Sequence, residues 1–299
     1  MERVGVIGLG RMGRRMATHL VDSEYRTRVY DRSPEPMEPF RDQGVPTYGT
    51  PRELVDASDV IILMVSDGDA VLDVLEGDSG VLAALGDGEK VVINMSTIGA
   101  DETLAVSDLV AEAGGAFVEA PVSGTTPQAE NGTLTVLAAG PNDVFDEVQP
   151  ILAVLGEPVF DCGSVGQGTR SKLFANLLLA GMVETFAEAL AFGTSQGLEL
   201  EHLLSIVSSG GMDTPLYSAK GAQVQDRDFT PRFSVDHLGK DLGLVLDAAS
   251  EASVPLPVAS TTRSVIDATR GLGHGDKDII ALLQFLEQNG GLTVGGSDE

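Results

Sequence analysis

Apolar positions change their period part-way along the chain. Up to about residue 160, short runs rich in β-branched residues alternate with stretches of helical spacing. The candidate strands are Arg3–Ile7, Arg28–Tyr30, Val60–Met64, Val91–Asn94, Phe117–Glu119, Leu134–Ala138 and Val159–Asp161. Between them, helical periodicity marks Met12–Val21, Arg52–Ala57, Ala100–Ala113 and Asn142–Leu155. Val60-Ile-Ile-Leu-Met64 is apolar without alternation, the pattern of a parallel strand covered on both faces. Alternating β and α segments predict a doubly wound α/β sheet of the Rossmann type. Beyond about residue 165 the strand pattern stops. A long Leu- and Ala-rich segment, Thr169–Thr194, is followed by helical spacing at Glu201–Ser208, Leu216–Gln225, Ser234–Ala252, Ala259–Arg270 and Ile279–Gln288. The expected organisation is an α/β domain over residues 1–164 and an all-helical domain over residues 165–299, joined by the long helix, with ligand in the cleft between them.

Composition narrows the setting. A chain of 299 residues, 42% of them hydrophobic, can bury a substantial core. No apolar run approaches the roughly 20 residues of a bilayer-spanning helix. The first apolar stretch, Val4–Leu9, is too short for a signal peptide, so a soluble cytoplasmic protein is expected. Cys162 is the single cysteine, which excludes an internal disulfide and reads as a structural thiol in a reducing compartment. Histidines at 19, 202, 237 and 274 show no metal-ligand spacing, and no metal is expected. Charge is the unusual feature: 19 basic against 45 acidic residues give a net −26. Such a chain repels nucleic acid and anionic membranes. The acids are scattered rather than gathered in a tail, and their self-repulsion destabilises a compact state unless salt screens it. That predicts a halophilic protein of a high-salt cytoplasm.

The first strand-to-helix turn carries chemistry. Gly8-Leu9-Gly10-Arg11-Met12-Gly13 follows the strand ending at Ile7 and opens the next helix. In a chain with 36 glycines the spacing alone says little, but at this turn each glycine has a purpose. Gly8 permits the tight turn, Gly10 lets backbone approach a pyrophosphate, and Gly13 lets helix and strand pack closely. The helix N-terminus then offers amides to the phosphates. The second strand ends at Tyr30-Asp31-Arg32-Ser33, about 20 residues on, where a carboxylate accepts hydrogen bonds from ribose hydroxyls and repels a 2′-phosphate. Arg32 pulls the other way, because a guanidinium grips such a phosphate bidentately. The expected cofactor is NAD, with NADP as the alternative.

Four segments in order, the glycine turn, Ala120-Pro-Val-Ser-Gly124, Gly166-Gln-Gly-Thr-Arg-Ser-Lys172-Leu-Phe-Ala-Asn176 and Lys240-Asp-Leu242, resemble the β-hydroxyacid dehydrogenases over essentially the whole chain. The family includes 3-hydroxyisobutyrate dehydrogenases and tartronate and succinic semialdehyde reductases. The resemblance implies hydride transfer between a nicotinamide cofactor and a small 3-hydroxy acid or its semialdehyde, in a homodimer or homotetramer packed through the helical domain. Lys172 and Asn176 are i and i+4 on the long helix and project from one face. Alcohol oxidation needs a base for the hydroxyl proton, and a desolvated lysine can serve. The chain has only five lysines, so one within a Leu- and Ala-rich helix invites that reading over a lysine snorkelling at the helix edge. Asn176 would orient the substrate hydroxyl.

The turn Ser123-Gly124-Thr125 offers a hydroxyl and backbone amides suited to a carboxylate, which it binds in the family. Met64-Val65-Ser66-Asp67 and Asn94-Met-Ser-Thr97 end parallel strands, where ligands bind in such sheets, and resemble the family's nicotinamide-side loops. Lys240 is assigned to cofactor or substrate, and Phe233 to cover of the nicotinamide or to core packing. Three positions depart from the family: Thr125 replaces a glycine, Glu119 an aspartate and Ala175 an asparagine, and these leave the substrate open. A 6-phosphogluconate dehydrogenase would show a His-Asn pair after its lysine, which Lys172-Leu-Phe-Ala-Asn176 lacks. Imine reductases usually lack the lysine, and a non-catalytic dinucleotide-binding module would not need the Lys172, Asn176 and Ser123 set.

Overall fold

Val60-Ile-Ile-Leu63 and Val91-Val-Ile-Asn94 are buried at every residue, because both faces of their sheet are covered. The computed structural model describes residues 2–86 and 90–295; Met1, 87–89 and 296–299 fall within the expected domain ranges but lie outside the described residues. The first half of the chain runs β1 (Arg3–Ile7), α1 (Arg11–Val21), β2 (Arg26–Tyr30), α2 (Glu38–Asp42), α3 (Pro51–Asp56), β3 (Val60–Leu63), α4 (Gly68–Leu75), β4 (Val91–Asn94), α5 (Ala100–Glu112) and β5 (Ala116–Glu119). These five strands form one parallel sheet in the order β2-β1-β3-β4-β5. Register pairs Val4 with Val60, Val60 with Val91 and Val91 with Ala116. Alternate residues of one strand feed opposite layers: Val60 and Ile62 join a core with Met16 and Leu20 of α1, while Ile61 and Leu63 join a core with Leu54, Val71 and Val106.

The chain continues through β6 (Val122–Ser123), α6 (Thr126–Glu130), β7 (Thr135–Ala138), α7 (Asn142–Leu155) and β8 (Val159–Asp161). The last two candidate strands do not extend the parallel sheet. They form a separate sheet, β6-β7-β8, in which β6 and β7 are antiparallel and β7 and β8 parallel. No crossover helix separates β5 from β6, so the chain cannot return to the parallel edge and doubles back, joined to the first sheet by a Glu119–Ala139 bridge. β6 and the short helices α2, α4 and α6 are additional to the elements expected from the sequence. Asp67 announces α4, its side chain accepting from Ala70 N at 2.9 Å.

From here the structure is helical: α8 (Gln167–Ser195), α9 (Leu200–Ser209), α10 (Pro215–Gln225), α11 (Val235–Glu251), α12 (Pro257–Gly271) and α13 (Leu282–Gly290). The segment expected as one helix from Ile279 instead starts as a 3-10 turn, Ile279–Ala281, and α13 ends on Gly291 in the left-handed region. The chain divides within α8 into two compact units, one ending at Lys172 and the other beginning at Leu173. The second unit has its own core, including Val183, Phe186, Leu190, Leu238, Leu242 and Ile266. It buries an ion pair, Lys220 Nζ to Asp278 Oδ1 at 2.6 Å, and Asp278 Oδ2 also accepts from Arg232 N at 2.9 Å.

By length and composition α8 is able to cross a membrane, its most apolar stretch reaching a mean hydropathy of 1.5, against the expectation that no such segment exists. A few polar residues interrupt the apolar run of α8 without lowering its average hydropathy below that of a spanning segment. Those residues, Lys172, Asn176 and Glu184, are buried within the protein, as in the core helix of a folded domain.

Candidate active site

The glycine turn lies where the sheet order reverses, between the carboxyl ends of β1 and β3. Gly8 has φ +95°, and a Cβ on it would stand 2.3 Å from the Met64 carbonyl oxygen. A Cβ on Gly13 would stand 2.0 Å from the Gly8 carbonyl, so helix and turn touch there. A Cβ on Gly10 would meet nothing within 4 Å: its missing side chain leaves open space instead of relieving a clash. Gly10 is also the N-cap of α1 and contributes no side-chain cap. The first intrahelical bond runs from Arg14 N to Gly10 O, placing the amides of Met12 and Gly13 beyond the helix's own carbonyls. An anionic group fits this cradle, and the residues present suit a dinucleotide pyrophosphate.

Asp31 ties the end of β2 to the turn. Its Oδ2 accepts from Leu9 N at 2.7 Å and its Oδ1 from Ser33 N at 2.9 Å. Each oxygen keeps lone-pair capacity for a ribose hydroxyl. Arg32 is exposed. Met64 and Val65 are half-buried beyond β3 with Ser66 exposed, and Val65 N donates to Ser96 Oγ at 3.0 Å, linking this loop to the one carrying Thr97 beyond β4. The fold therefore gathers the sequence-predicted cofactor residues of the first unit along one edge of the parallel sheet.

Ser123 is half-buried in β6 and Gly124 exposed, with φ +141°. Thr125 is committed elsewhere: its N and Oγ1 both donate to Gln128 Oε1, at 3.0 and 2.6 Å, at the start of α6. Ser123 pairs with Thr135 in the β6–β7 ladder, which takes its amide, so the backbone amide left to the carboxylate reading is that of Gly124.

Glu119, noted in the sequence only as a departure from the family, has a structural task. Its side chain is buried at the end of β5 and receives the start of α8: Gly166 N, Gly168 N at 3.1 Å, Thr169 N at 2.8 Å and Thr169 Oγ1. A carboxylate here satisfies amides that a helix start leaves unpaired and complements its dipole. Desolvation nevertheless pushes the Glu119 pKa above the ordinary range, outweighing these hydrogen bonds. Lys172 follows in the next turn, only 7% exposed.

In the second unit Asn176, one turn beyond Lys172 on α8, is 2% exposed, and its Nδ2 donates to Asp241 Oδ2 at 2.8 Å. Lys240 Nζ lies 2.8 Å from the other oxygen, Asp241 Oδ1. Asp241 belongs to the Lys240-Asp-Leu242 motif, yet nothing in those residues points to its contact with Asn176. Phe233 packs against the core of this unit, its ring 6.2 Å from that of His237. Among the described residues no cluster of three or more His, Cys, Asp or Glu side chains is placed to hold a metal.

Known proteins match this arrangement along its length. A family model described as the NAD binding domain of 6-phosphogluconate dehydrogenase matches residues 3–165. A second, described as the NAD-binding of NADP-dependent 3-hydroxyisobutyrate dehydrogenase, matches residues 166–286. Glyoxylate/succinic semialdehyde reductase 1 of Arabidopsis thaliana is 34% identical, over 95% of this chain and 98% of its own. The chain belongs to the β-hydroxyacid dehydrogenase family. Within the family, 2-(hydroxymethyl)glutarate dehydrogenase of Eubacterium barkeri is 33% identical over 98% of each chain. The crystal structure of a 3-hydroxyisobutyrate dehydrogenase from Salmonella typhimurium superposes with a TM-score of 0.87 at 28% identity, covering 95% of this chain and 99% of that one. This chain is thus an NAD(P)-dependent hydroxyacid dehydrogenase by family and fold.

Proposed function

We propose that this dehydrogenase oxidises a small 3-hydroxy acid resembling 3-hydroxyisobutyrate, or reduces the matching semialdehyde. The observation that carries the reading is the buried Lys172, set one turn before Asn176 on α8 in a member of this family. NAD(P), when bound, accepts or supplies the hydride. Lys172 takes the hydroxyl proton in oxidation and returns it to the carbonyl oxygen in reduction. Asn176 orients the hydroxyl, while the Ser123 hydroxyl and the Gly124 amide hold the substrate carboxylate. Gly8–Gly13 cradle the pyrophosphate, and Asp31 receives the ribose hydroxyls, favouring NAD, with Arg32 and Ser33 beside it. Met64, Val65, Ser66, Thr97, Phe233 and Lys240 complete the cofactor side.

Reduction of succinic or tartronate semialdehyde is the second reading, favoured by the 34% identity to a glyoxylate/succinic semialdehyde reductase. A panel of 3-hydroxyisobutyrate, D-glycerate, 4-hydroxybutyrate, L-serine and 6-phosphogluconate with both nicotinamide cofactors, followed at the absorbance of the reduced ring, separates them. Fastest turnover of 3-hydroxyisobutyrate supports the first reading, that of 4-hydroxybutyrate or D-glycerate the second, and 6-phosphogluconate overturns both.

The setting belongs to the same proposal: a cytoplasmic enzyme of a salty cell, binding neither nucleic acid nor membrane and acting as a homodimer or homotetramer. The net charge of −26 supports the first parts. Exposed Phe174, Leu178 and Phe192, spaced to share one face of α8, support a second copy as the cover of that stripe.

A further inference from the structure

Asp241 lies on α11 among the buried side chains of Leu238, Leu242 and Val245, and is itself 3% exposed. A carboxylate so placed costs several kcal/mol in desolvation unless its partners compensate. Its partners are both residues already assigned to ligands: Asn176 Nδ2 at 2.8 Å from Oδ2 and Lys240 Nζ at 2.8 Å from Oδ1. An ionised carboxylate only accepts hydrogen bonds, whereas a side-chain amide presents a donor at one end and an acceptor at the other. The torsion that exchanges those ends is broad and two-fold, so an asparagine alone does not select one.

We propose that Asp241 is a positioning residue: it fixes which edge of the Asn176 amide is presented to the substrate and holds the Lys240 ammonium in place. With one N–H bound to Asp241, Asn176 turns its Oδ1 and its second N–H toward the ligand. Those two groups match a hydroxyl, which both donates and accepts, better than a flipped amide does, and the second N–H still serves the carbonyl oxygen formed from it. The role rests on the dehydrogenase reading above, since it acts through Asn176.

The test is a double-mutant cycle between Asp241→Ala and Asn176→Ala, with Asp241→Asn as the conservative variant. It is read as kcat and KM on the fastest substrate of the panel, NADH affinity by fluorescence and the thermal midpoint. Asp241→Ala is expected to lower kcat roughly tenfold or more, the effect of losing about one hydrogen bond's orientation. In the Asn176→Ala background the same substitution should change kcat less than about twofold, because the amide it orients is gone. Asp241→Asn, which keeps a carbonyl acceptor for Asn176 Nδ2 but loses the charge facing Lys240, should recover much of kcat while weakening NADH binding. Effects on kcat that multiply independently, or a lowered thermal midpoint with kcat retained, overturn the proposal. Selective 15N-asparagine labelling gives a readout that needs no turnover: the Asn176 side-chain amide protons should exchange slowly in the parent and quickly in Asp241→Ala. Should no panel compound react, the proposed substrate class falls, and the exchange rates still decide whether Asp241 holds the amide.

Discussion

Lys172 and Asp31 are each expected to act through a single functional group. Replacing Lys172 with alanine removes an amine from a site 7% exposed, near the start of a helix that Glu119 anchors from outside. The fold and NADH binding should survive, while kcat falls roughly 10²-fold or more, the range for a lost general acid–base group. Near-parental kcat in the folded variant removes Lys172 from the chemistry. At Asp31 the sequence leads to the expectation of a carboxylate turned to the ribose; the structure adds that the same carboxylate ties Leu9 to Ser33. The parent should prefer NAD in kcat/KM. Asp31→Ser should move the preference toward NADP by about tenfold or more, since repulsion of the 2′-phosphate disappears and Arg32 remains to pair with it. A parent that already prefers NADP assigns the decision to Arg32. Asp241 was invisible at this scale, because nothing in Gly-Lys-Asp-Leu says that its carboxylate finds an amide 65 residues earlier.

The long helix α8 combines three functions along its length: a carboxylate-capped start, the Lys172–Asn176 pair, and an apolar exposed stripe. It also buries Glu184, 5% exposed, neither of whose oxygens has a hydrogen-bond partner among the described residues. Burial, with the like charge of Glu188 one turn on, pushes the Glu184 pKa from the ordinary 4.5 up to about 7. A carboxyl whose pKa is raised by folding binds its proton more tightly in the native state. Its contribution is therefore favourable at low pH and is lost as pH rises from about 4.5 through about 7. Glu184→Gln keeps the shape and removes the ionisation, so its Tm should exceed the parent's at pH 8, with the advantage gone by pH 5. An equal difference at both pH values, in matched thermal melts, would show that Glu184 does not ionise in this range.

Over the whole molecule the excess of acids dominates. Repulsion between exposed charges decays over a Debye length of about 10 Å at 0.1 M salt and about 3 Å at 1 M. Raising KCl from 0.1 to 2 M should therefore raise the unfolding midpoint and sustain activity of this chain of net charge −26. KCl is the suitable probe, since sulfate adds a separate apolar-burial effect. A midpoint that stays flat or falls means the acids are locally paired or far apart, and the high-salt origin loses its support. Near neighbours alone specify the strands β1 and β4 to the residue, the turn from Gly8 to Gly13, and the i, i+4 relation of Lys172 and Asn176. Apolar period, glycine spacing and helical phase are all local, so they are legible without a fold. Contacts between distant segments depend on where the chain returns, which is settled on folding. The separate β6-β7-β8 sheet follows from a reversal just beyond β5. Glu119 became the cap of α8 across 47 to 50 residues, and Asp241 the partner of Asn176 across 65. A buried carboxylate must find donors somewhere, but only folding determines which donors come within reach.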